Sequence, residues 1–549
     1  MRTFLFNIIK MKKLKLVSLA IAMACATPSF AGGLLTNTNQ HVAFNRMMSR
    51  EASIGIDGVY YNPAGVVFMG EGHHLAINWQ LAYQTRSIEN VYPLFTNNVN
   101  NPTTPPTPRE FKGEAFAPVI PSFQYAYNKG RWSLQASFAL TGGGGKCTFD
   151  NGLGSFEKIV AETAMAACGL ARTVDNVLGN TLGQPGMQMF TTDQAFGQRG
   201  EYSYNSYMHG RQYYYGLSVG AAYKFSDNFS AFAGVRGVYA STNYYGYVEN
   251  IKVGNMPLYK VLDPNKENAA NIELSCDQSG IGFTPIIGVD FKTGKWNFSA
   301  KYEFKTRIRL KNKAVNQAPS ISALPDNLSR QMVGTLTQVF TNKGMTPENA
   351  QAVAANTTQA VLTNDDVVKT MAGLKTEFDA KLEEAIGEYE DGKKIAGDMP
   401  AYLALGVGYS PVDAVRVNVG FHWFDDKHAT SYNNRQEKLK RGTLEYNAGV
   451  EVDVNKKITL STGWQNTNYG LSDEYMDDKS FVVSSNSVAV GGVYHINKKM
   501  DLNVAYFHTF YQHKKTSEKV QLSAEKSINY SSDYTRNNNV FAVGLDINF

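Results

Sequence analysis

The sequence predicts an all-β fold: a 14-stranded antiparallel transmembrane β-barrel with an N-terminal lumenal hatch and a helical extracellular loop region. Three observations predict it. Apolar and polar residues alternate with a period of two through many segments. Very short turns alternate strictly with long loops. An export signal opens the chain, and an amphipathic strand ending in an aromatic residue closes it.

The first element is the signal, residues 1–31. Met11-Lys12-Lys13-Leu14-Lys15 is a basic n-region, Leu16 to Ala24 an apolar stretch, and Ser29-Phe30-Ala31 a small-residue cleavage site, giving an expected mature start at Gly32. Met1 and Met11 are both candidate initiators. Ala22-Met23-Ala24-Cys25 lacks the leucine usual three residues before a lipoprotein cysteine. Removing the five bases of residues 1–31 from the 53 Lys and Arg leaves 48 against 48 Asp and Glu. A formally neutral mature chain gives no reason to expect a nucleic-acid partner. Three cysteines remain, Cys147, Cys168 and Cys276; the first two share one expected loop and are candidates to pair after export.

No later run approaches the ~18 apolar residues of a spanning helix, yet the chain holds 31 Tyr, 30 Phe and 48 Gly. The alternation supplies the spans instead. In "RWSLQASFALT", Trp132, Leu134, Ala136, Phe138 and Leu140 oppose Arg131, Ser133, Gln135 and Ser137. "YYYGLSVGAAYKF" and "LEYNAGVEVDV" repeat the pattern. The strands expected are 72–86, 115–127, 131–142, 211–225, 228–245, 281–292, 295–311, 401–410, 413–424, 443–454, 457–466, 485–496, 500–514 and 538–549. Turns such as Asn128-Lys129-Gly130, Thr293-Gly294-Lys295 and Asn455-Lys456-Lys457 join them on one side. On the other side lie long loops near 87–114, 143–210, 246–280, 312–400, 425–442, 467–484 and 515–537. A soluble sandwich has no reason for this asymmetry; an outer-membrane barrel has short periplasmic turns and long surface loops. Phe541, Val543, Leu545 and Ile547 alternate up to Phe549, the aromatic end common among proteins inserted by the outer-membrane assembly machinery.

Loop 312–400 reads as helical. Leu328, Met332, Leu336 and Phe340 fall at helical spacing, Thr346-Pro347-Glu348 reads as an N-cap with proline at the first helical position, and Met371, Leu374 and Phe378 mark a further stripe. These helices either pack on one another or leave apolar surface open as a groove; Met332, Leu336, Phe340, Leu374 and Phe378 are its candidates.

With fourteen strands assigned to 72–549, residues 32–71 are left over and too few for a domain. The simplest place for them is the lumen, as a hatch. In Tyr61-Asn62-Pro63-Ala64-Gly65 the proline fixes its own φ, biases Asn62 toward an extended conformation, and is followed by a glycine that permits a tight turn.

Here the chain resembles the FadL/OmpP1/TodX family of outer-membrane long-chain fatty acid and hydrophobic-compound transporters. "EASIGIDGVYYNPAGVVFMGEGHHLAINWQ" carries the resemblance, with Asp57-Gly58, then Tyr61 to Gly65, then a strand in the family's order. The plan of signal, hatch, fourteen strands, helical surface loops and terminal Phe549 agrees. The long 312–400 loop, the cysteine-bearing 143–210 loop and the later strands depart from it, which bears on ligand more than on architecture. The resemblance implies passive uptake without cofactor: surface capture, lumenal binding, and lateral release when the hatch shifts, with Asn62, Pro63, Ala64 and Gly65 at the gate. The implied partners are fatty acids or other hydrophobic ligands and the lipid bilayer, in a monomer of the outer membrane.

Two further expectations come from the residues. In "KYEFKTRIRLK", alternation sets Lys301, Glu303, Lys305, Arg307 and Arg309 opposite Tyr302, Phe304, Ile308 and Leu310. Arg or Lys on the lipid face costs ~2–4 kcal/mol at midplane, so the basic side is expected in the lumen. Arg307 or Arg309 would there meet a carboxylate bidentately. Pro118 and Pro121 remove ladder donors, and Gly142 to Gly145 end the next strand. A local break between these strands, involving Pro118, Pro121, Gly142 and Gly143, is a candidate lateral opening. No HExxH occurs among the residues, and no catalytic residue, metal or cofactor is assigned. A surface receptor or adhesin for haem or lipid, an open polar porin, and a lipase assembled from separate strands remain the alternatives.

Overall fold

The computed structural model describes residues 34–102, 108–522 and 526–549; the export signal, Met11, Cys25 and Gly32 lie outside the described residues. Fourteen antiparallel strands follow one another around a closed wall: β1 Gly72–Val91, β2 Arg109–Lys129, β3 Trp132–Phe149, β4 Tyr202–Lys224, β5 Phe229–Val253, β6 Ile272–Thr293 and β7, in two pieces, Trp296–Glu303 and Arg309–Gln317. Then come β8 Tyr402–Val412, β9 Val415–Phe424, β10 Thr443–Asn455, β11 Ile458–Asn468, β12 Ser485–Asn497, β13 Met500–Tyr511 continued by Lys514–Gln521, and β14 Ser527–Asn548. Pairing of β1 with β14, from His74↔Asn548 to Val91↔Ser531, closes the sheet. Closure removes the exposed edge that an open sheet would present.

The two faces are inverted relative to a soluble protein. Trp79, Phe123, Leu134, Leu217, Phe283 and Val419 are exposed on the outer surface, while Asn78, Gln80, Gln124, Gln135 and Glu445 are buried inside. An apolar exterior around a polar interior is the arrangement that lipid requires. No helix among the described residues is long and apolar enough to cross a membrane, so the strands make the crossing. The chain is a transmembrane barrel of the outer-membrane type.

Several strands run beyond the expected limits at their loop ends. β13 and β14 absorb most of the 515–537 segment, and a short strand, Lys394–Ala396, pairs with the upper piece of β7. Pattern alone misses these extensions because above the membrane both faces of a strand meet polar surroundings. The helical loops form as expected. α-Helix Leu324–Asn342 is followed by Pro347–Leu362, where the Thr346 hydroxyl accepts from the Asn349 amide at 3.4 Å, and then by Asp365–Ile386. A further helix, Gly154–Thr181, fills the 143–210 loop. Cys147 and Cys168 do not pair. All three described cysteines are free and buried, Cys147 in the wall at the top of β3 and Cys168 in that helix, where its thiol donates to the Gly197 carbonyl at 3.3 Å.

One expectation is corrected in β7. From Ile286↔Glu303 to Ser279↔Lys311, β6 advances 7 residues while β7 advances 8. The surplus residue is a bulge, and a one-residue shift exchanges the faces of everything beyond it. Pro285 on β6 has no N–H for the ladder, and β7 turns to its other neighbour, where Thr306 and Met399 exchange amide bonds of 3.1 and 3.0 Å. Lys301 and Glu303 therefore face the lumen as expected, but above the bulge Ile308 and Leu310 are buried and Arg307 and Arg309 point outward.

Candidate functional site

Residues 34–71 lie within the barrel and are almost wholly buried. The helix Val42–Met47 starts where the His41 imidazole accepts from the Ala43 amide at 2.9 Å and ends at Met48, whose φ is 59°. Arg46 reaches the wall through Glu451, Ser461 (2.9 Å) and Asn503 (3.2 Å). Arg50 forks onto Asp57 within the hatch at 2.7 and 3.0 Å. Glu51 meets His422 of β9 at 2.7 Å, and the other imidazole nitrogen faces Glu445 of β10 at 2.8 Å. In a lumen closed to solvent, these charges are tolerable because each has a partner.

The Asn62-Pro63-Ala64-Gly65 turn is wedged against the opposite wall. The Asn62 side-chain amide donates to Asp290 of β6 at 2.6 Å and to the Ser53 carbonyl at 3.3 Å, and its oxygen accepts from the Gly65 amide at 3.1 Å. Gln135 of β3 donates to the Pro63 carbonyl at 2.7 Å, and Ser230 of β5 to the Ala64 carbonyl at 2.7 Å. Gly65 opens a short 3-10 helix, Gly65–Phe68, with no positive φ; a Cβ there would collide with the Asn62 side chain. The glycine is required by that close approach. Tyr60 lies under the Lys301 ammonium, 3.9 Å from the ring centroid, and Tyr61 stacks on Phe44 at 5.2 Å.

The wall is interrupted beside the hatch. β2 and β3 pair at Glu114↔Thr148 and Ala115↔Cys147, and again only from Phe123↔Phe138. Pro118, Pro121, Gly142 and Gly143 all lie in the unpaired stretch between. β1 still pairs with β2 across a bulge at Gln80/Ala82, and β4 with β3 across bulges near Gly142 and Gly145, so the interruption belongs to this one seam. At Gly143 φ is 69° and a Cβ would meet the Gln212 carbonyl. The free edge of β3 is taken by the hatch: Thr36 bridges to Gly142, the Asn37 amide donates to the Thr141 carbonyl at 2.9 Å, and the Asn37 side chain donates to the Leu140 carbonyl at 3.1 Å. A buried apolar cluster runs from Phe507 and Val540 through Met48 to Ile120 and Leu140 beside the gap.

Two cavities lie above. The larger, about 970 Å³, is lined by Leu34 and Leu35 of the hatch, Tyr214, Leu310 and Ile395 of the wall, and a polar side of loop residues. Among those, burial pushes the Glu388 and Asp478 carboxyls up to about 7 and the Asp426 carboxyl up to about 6; the neighbouring Asp477 charge adds to the shift of Asp478. Lys479 is buried, 3.6 Å from Asp477, and its ammonium has no hydrogen-bond partner among the described residues. The smaller cavity, about 140 Å³, is an apolar groove between the loop helices, lined by Phe156, Ile159, Leu170, Leu328, Leu374 and Phe378. Of the groove candidates, Leu374 and Phe378 line it, whereas Met332, Leu336 and Phe340 are buried in the cluster that also holds Ala350, Ala354 and Val361. Arg307 and Arg309 line neither cavity, and Arg309 pairs with Asp398 at 2.9 Å. Lys479 and Met48 were missed because nothing in their local sequence marks an inward-facing loop cation or a hatch contact. No group of three or more metal-ligating side chains occurs among the described residues.

No protein-family model and no curated protein matches the chain. Among solved structures it is similar to a FadL homologue of Pseudomonas aeruginosa, with 14% identity and a TM-score of 0.55, covering 94% of this chain and 100% of that one. It is also similar to the P. putida toluene transporter TodX (13% identity, TM-score 0.46, 90% and 94% covered) and the Ralstonia pickettii toluene transporter TbuX (13%, 0.43, 90% and 94%). The first of these overlaps establishes the fold: this is a FadL-type barrel.

Proposed function

We propose that the chain is a member of the FadL/OmpP1/TodX family and a passive outer-membrane transporter of hydrophobic molecules, with long-chain fatty acids as cargo. One observation carries the reading: the lumen is filled by a hatch, while the wall beside that hatch is unpaired between β2 and β3 and an apolar cluster leads to it. A blocked axis with a side opening suits cargo that leaves into lipid, where apolar surface is favoured. Cargo is taken up in the apolar groove under Leu374 and Phe378, passes to the larger cavity, and leaves between Pro118–Pro121 and Gly142–Gly143 when Thr36 and Asn37 release the β3 edge. Lys479 supplies a cation for an acid headgroup in the cavity, the role first expected of Arg307 or Arg309. The protein acts as a monomer, without cofactor and without catalysis.

The test compares uptake of labelled oleate, toluene and sucrose by vesicles with and without the protein. Faster oleate with unchanged sucrose supports the reading. Faster sucrose replaces it with an open pore. Equal acceleration of oleate and toluene, unaffected by Lys479→Gln, removes the fatty-acid assignment but leaves the channel.

A further inference from the structure

The bulge in β7 leaves the barrel with an arrangement that transport does not use. Above it, Arg307, Arg309, Lys311 and Lys313 all face outward from the upper wall. On the adjoining short strand Lys394 stands directly opposite Lys311, and both are exposed. Like charges set face to face across an antiparallel pair destabilise it. No acidic side chain among the described residues pairs with Arg307, Lys311 or Lys394. The nearby acids are engaged elsewhere. Asp398 holds Arg309 at 2.9 Å and Lys305 at 3.6 Å; Asp391 accepts from the Ala314 amide at 2.9 Å; Glu390 lies 3.7 Å from Lys393; and Asp277, the register partner of Lys313, accepts from Asn243 at 2.8 Å.

The depth of this patch identifies what meets it. The Arg309 and Arg307 carbonyls lie against Gly280 and Gly282 of β6, so these arginines are level with Ile281 and Phe283, 64% and 66% exposed. Lys311 and Lys394 are one step higher, beside Ser279. The lower cations thus emerge at the top of the apolar belt, with acyl-facing surface below and water above. Lys and Arg there keep their stems against lipid and their heads at the interface.

We propose that this outward patch, Arg307, Lys311 and Lys394 with Arg309 and Lys313 beside them, binds the phosphate groups of a multiply phosphorylated acyl lipid of the outer leaflet. The phosphates sit between Lys311 and Lys394 and on the Arg307 fork, and the acyl chains run down over Ile281 and Phe283. Arginine matches phosphate bidentately, and successive outward residues stand about 7 Å apart along a strand, so a lipid with more than one phosphate spans more of the row than a single-phosphate one. This assignment is independent of what the barrel carries.

The probe is diphosphoryl lipid A added to the purified full-length barrel in detergent, with phosphatidylglycerol and phosphatidylcholine in parallel, bound lipid being counted by native mass spectrometry. The parent protein is expected to bind lipid A about tenfold more tightly than phosphatidylglycerol. Arg307→Gln/Lys311→Gln/Lys394→Gln is expected to lose at least about tenfold, the size of one lost charge-assisted contact. Lys456→Gln/Lys457→Gln/Lys498→Gln, on the turn side, is expected to change nothing. A heat-modifiable gel shift confirms folding of each; should the triple variant not fold, Lys394→Gln alone carries the test with a smaller loss in the same direction. Equal binding of lipid A and phosphatidylglycerol by the parent, unchanged binding by the patch variants, or an equal loss in the turn-side variant overturns the proposal.

Discussion

Asn62 joins three structures with one side chain: the Asp290 wall carboxylate, the Ser53 carbonyl and the Gly65 amide. Truncating it leaves buried polar partners unsatisfied, which costs about 1–3 kcal/mol. Asn62→Ala is therefore expected to loosen the hatch, lowering the thermal midpoint and raising sucrose leak in a liposome-swelling assay; a hatch that only fills space would leave both unchanged. Titration acts at the same scale in the surface loops. Glu388 and Asp478, pushed up to about 7 by burial, and Asp426, up to about 6, hold protons that their unfolded counterparts release near pH 4. The folded loops bind more protons than the unfolded ones between those values, so loop stability falls as pH rises from about 4 to about 7. Asp477, shifted downward, acts only below that window. Hydrogen-exchange protection over 387–389 and 472–482, with the base-catalysed rise of intrinsic exchange divided out, is expected to be higher at pH 5 than at pH 8; equal protection would mean these carboxyls are not held neutral.

At the scale of elements, the proposed path depends on the seam between β2 and β3. Ala117 is buried within the unpaired stretch and belongs to the apolar cluster that reaches Met48. Ala117→Phe is expected to fill the opening and cut oleate uptake several-fold while the folded band in a heat-modifiability gel is retained. Unchanged uptake would place the exit elsewhere. The break was legible as composition, two prolines facing a run of glycines, because both residue types remove or misdirect ladder bonds locally. That Thr36 and Asn37 occupy the freed edge was not, since a contact between residues about a hundred positions apart has no periodic signature.

For the whole molecule, closure makes the last strand the keystone. The Phe549 carbonyl accepts from the His73 amide at 2.7 Å, its amide donates to the His73 carbonyl at 2.9 Å, and its ring stacks on the imidazole at 5.3 Å. Phe549→Ala keeps the backbone bonds and loses the ring. It is expected to lower the yield of folded barrel in cells more than after refolding in detergent, as recognition by an assembly machinery requires; an equal loss in both would reduce the ring's role to packing.

The chain by itself determined the number of strands, their order, the side of each turn and the apolar exterior, because period-two patterning and turn chemistry are local and each strand meets lipid on one face and polar groups on the other. It also marked the Asn62–Gly65 turn, whose residues constrain their own backbone. Only the tertiary structure decided which way the upper half of β7 faces, where Arg307 and Arg309 point, which wall residues grip the hatch, and where Lys479 enters the cavity. A single surplus residue against β6 reverses a whole face, and that surplus is set by competition between two neighbouring strands for the same backbone groups, which alternation within one strand does not record.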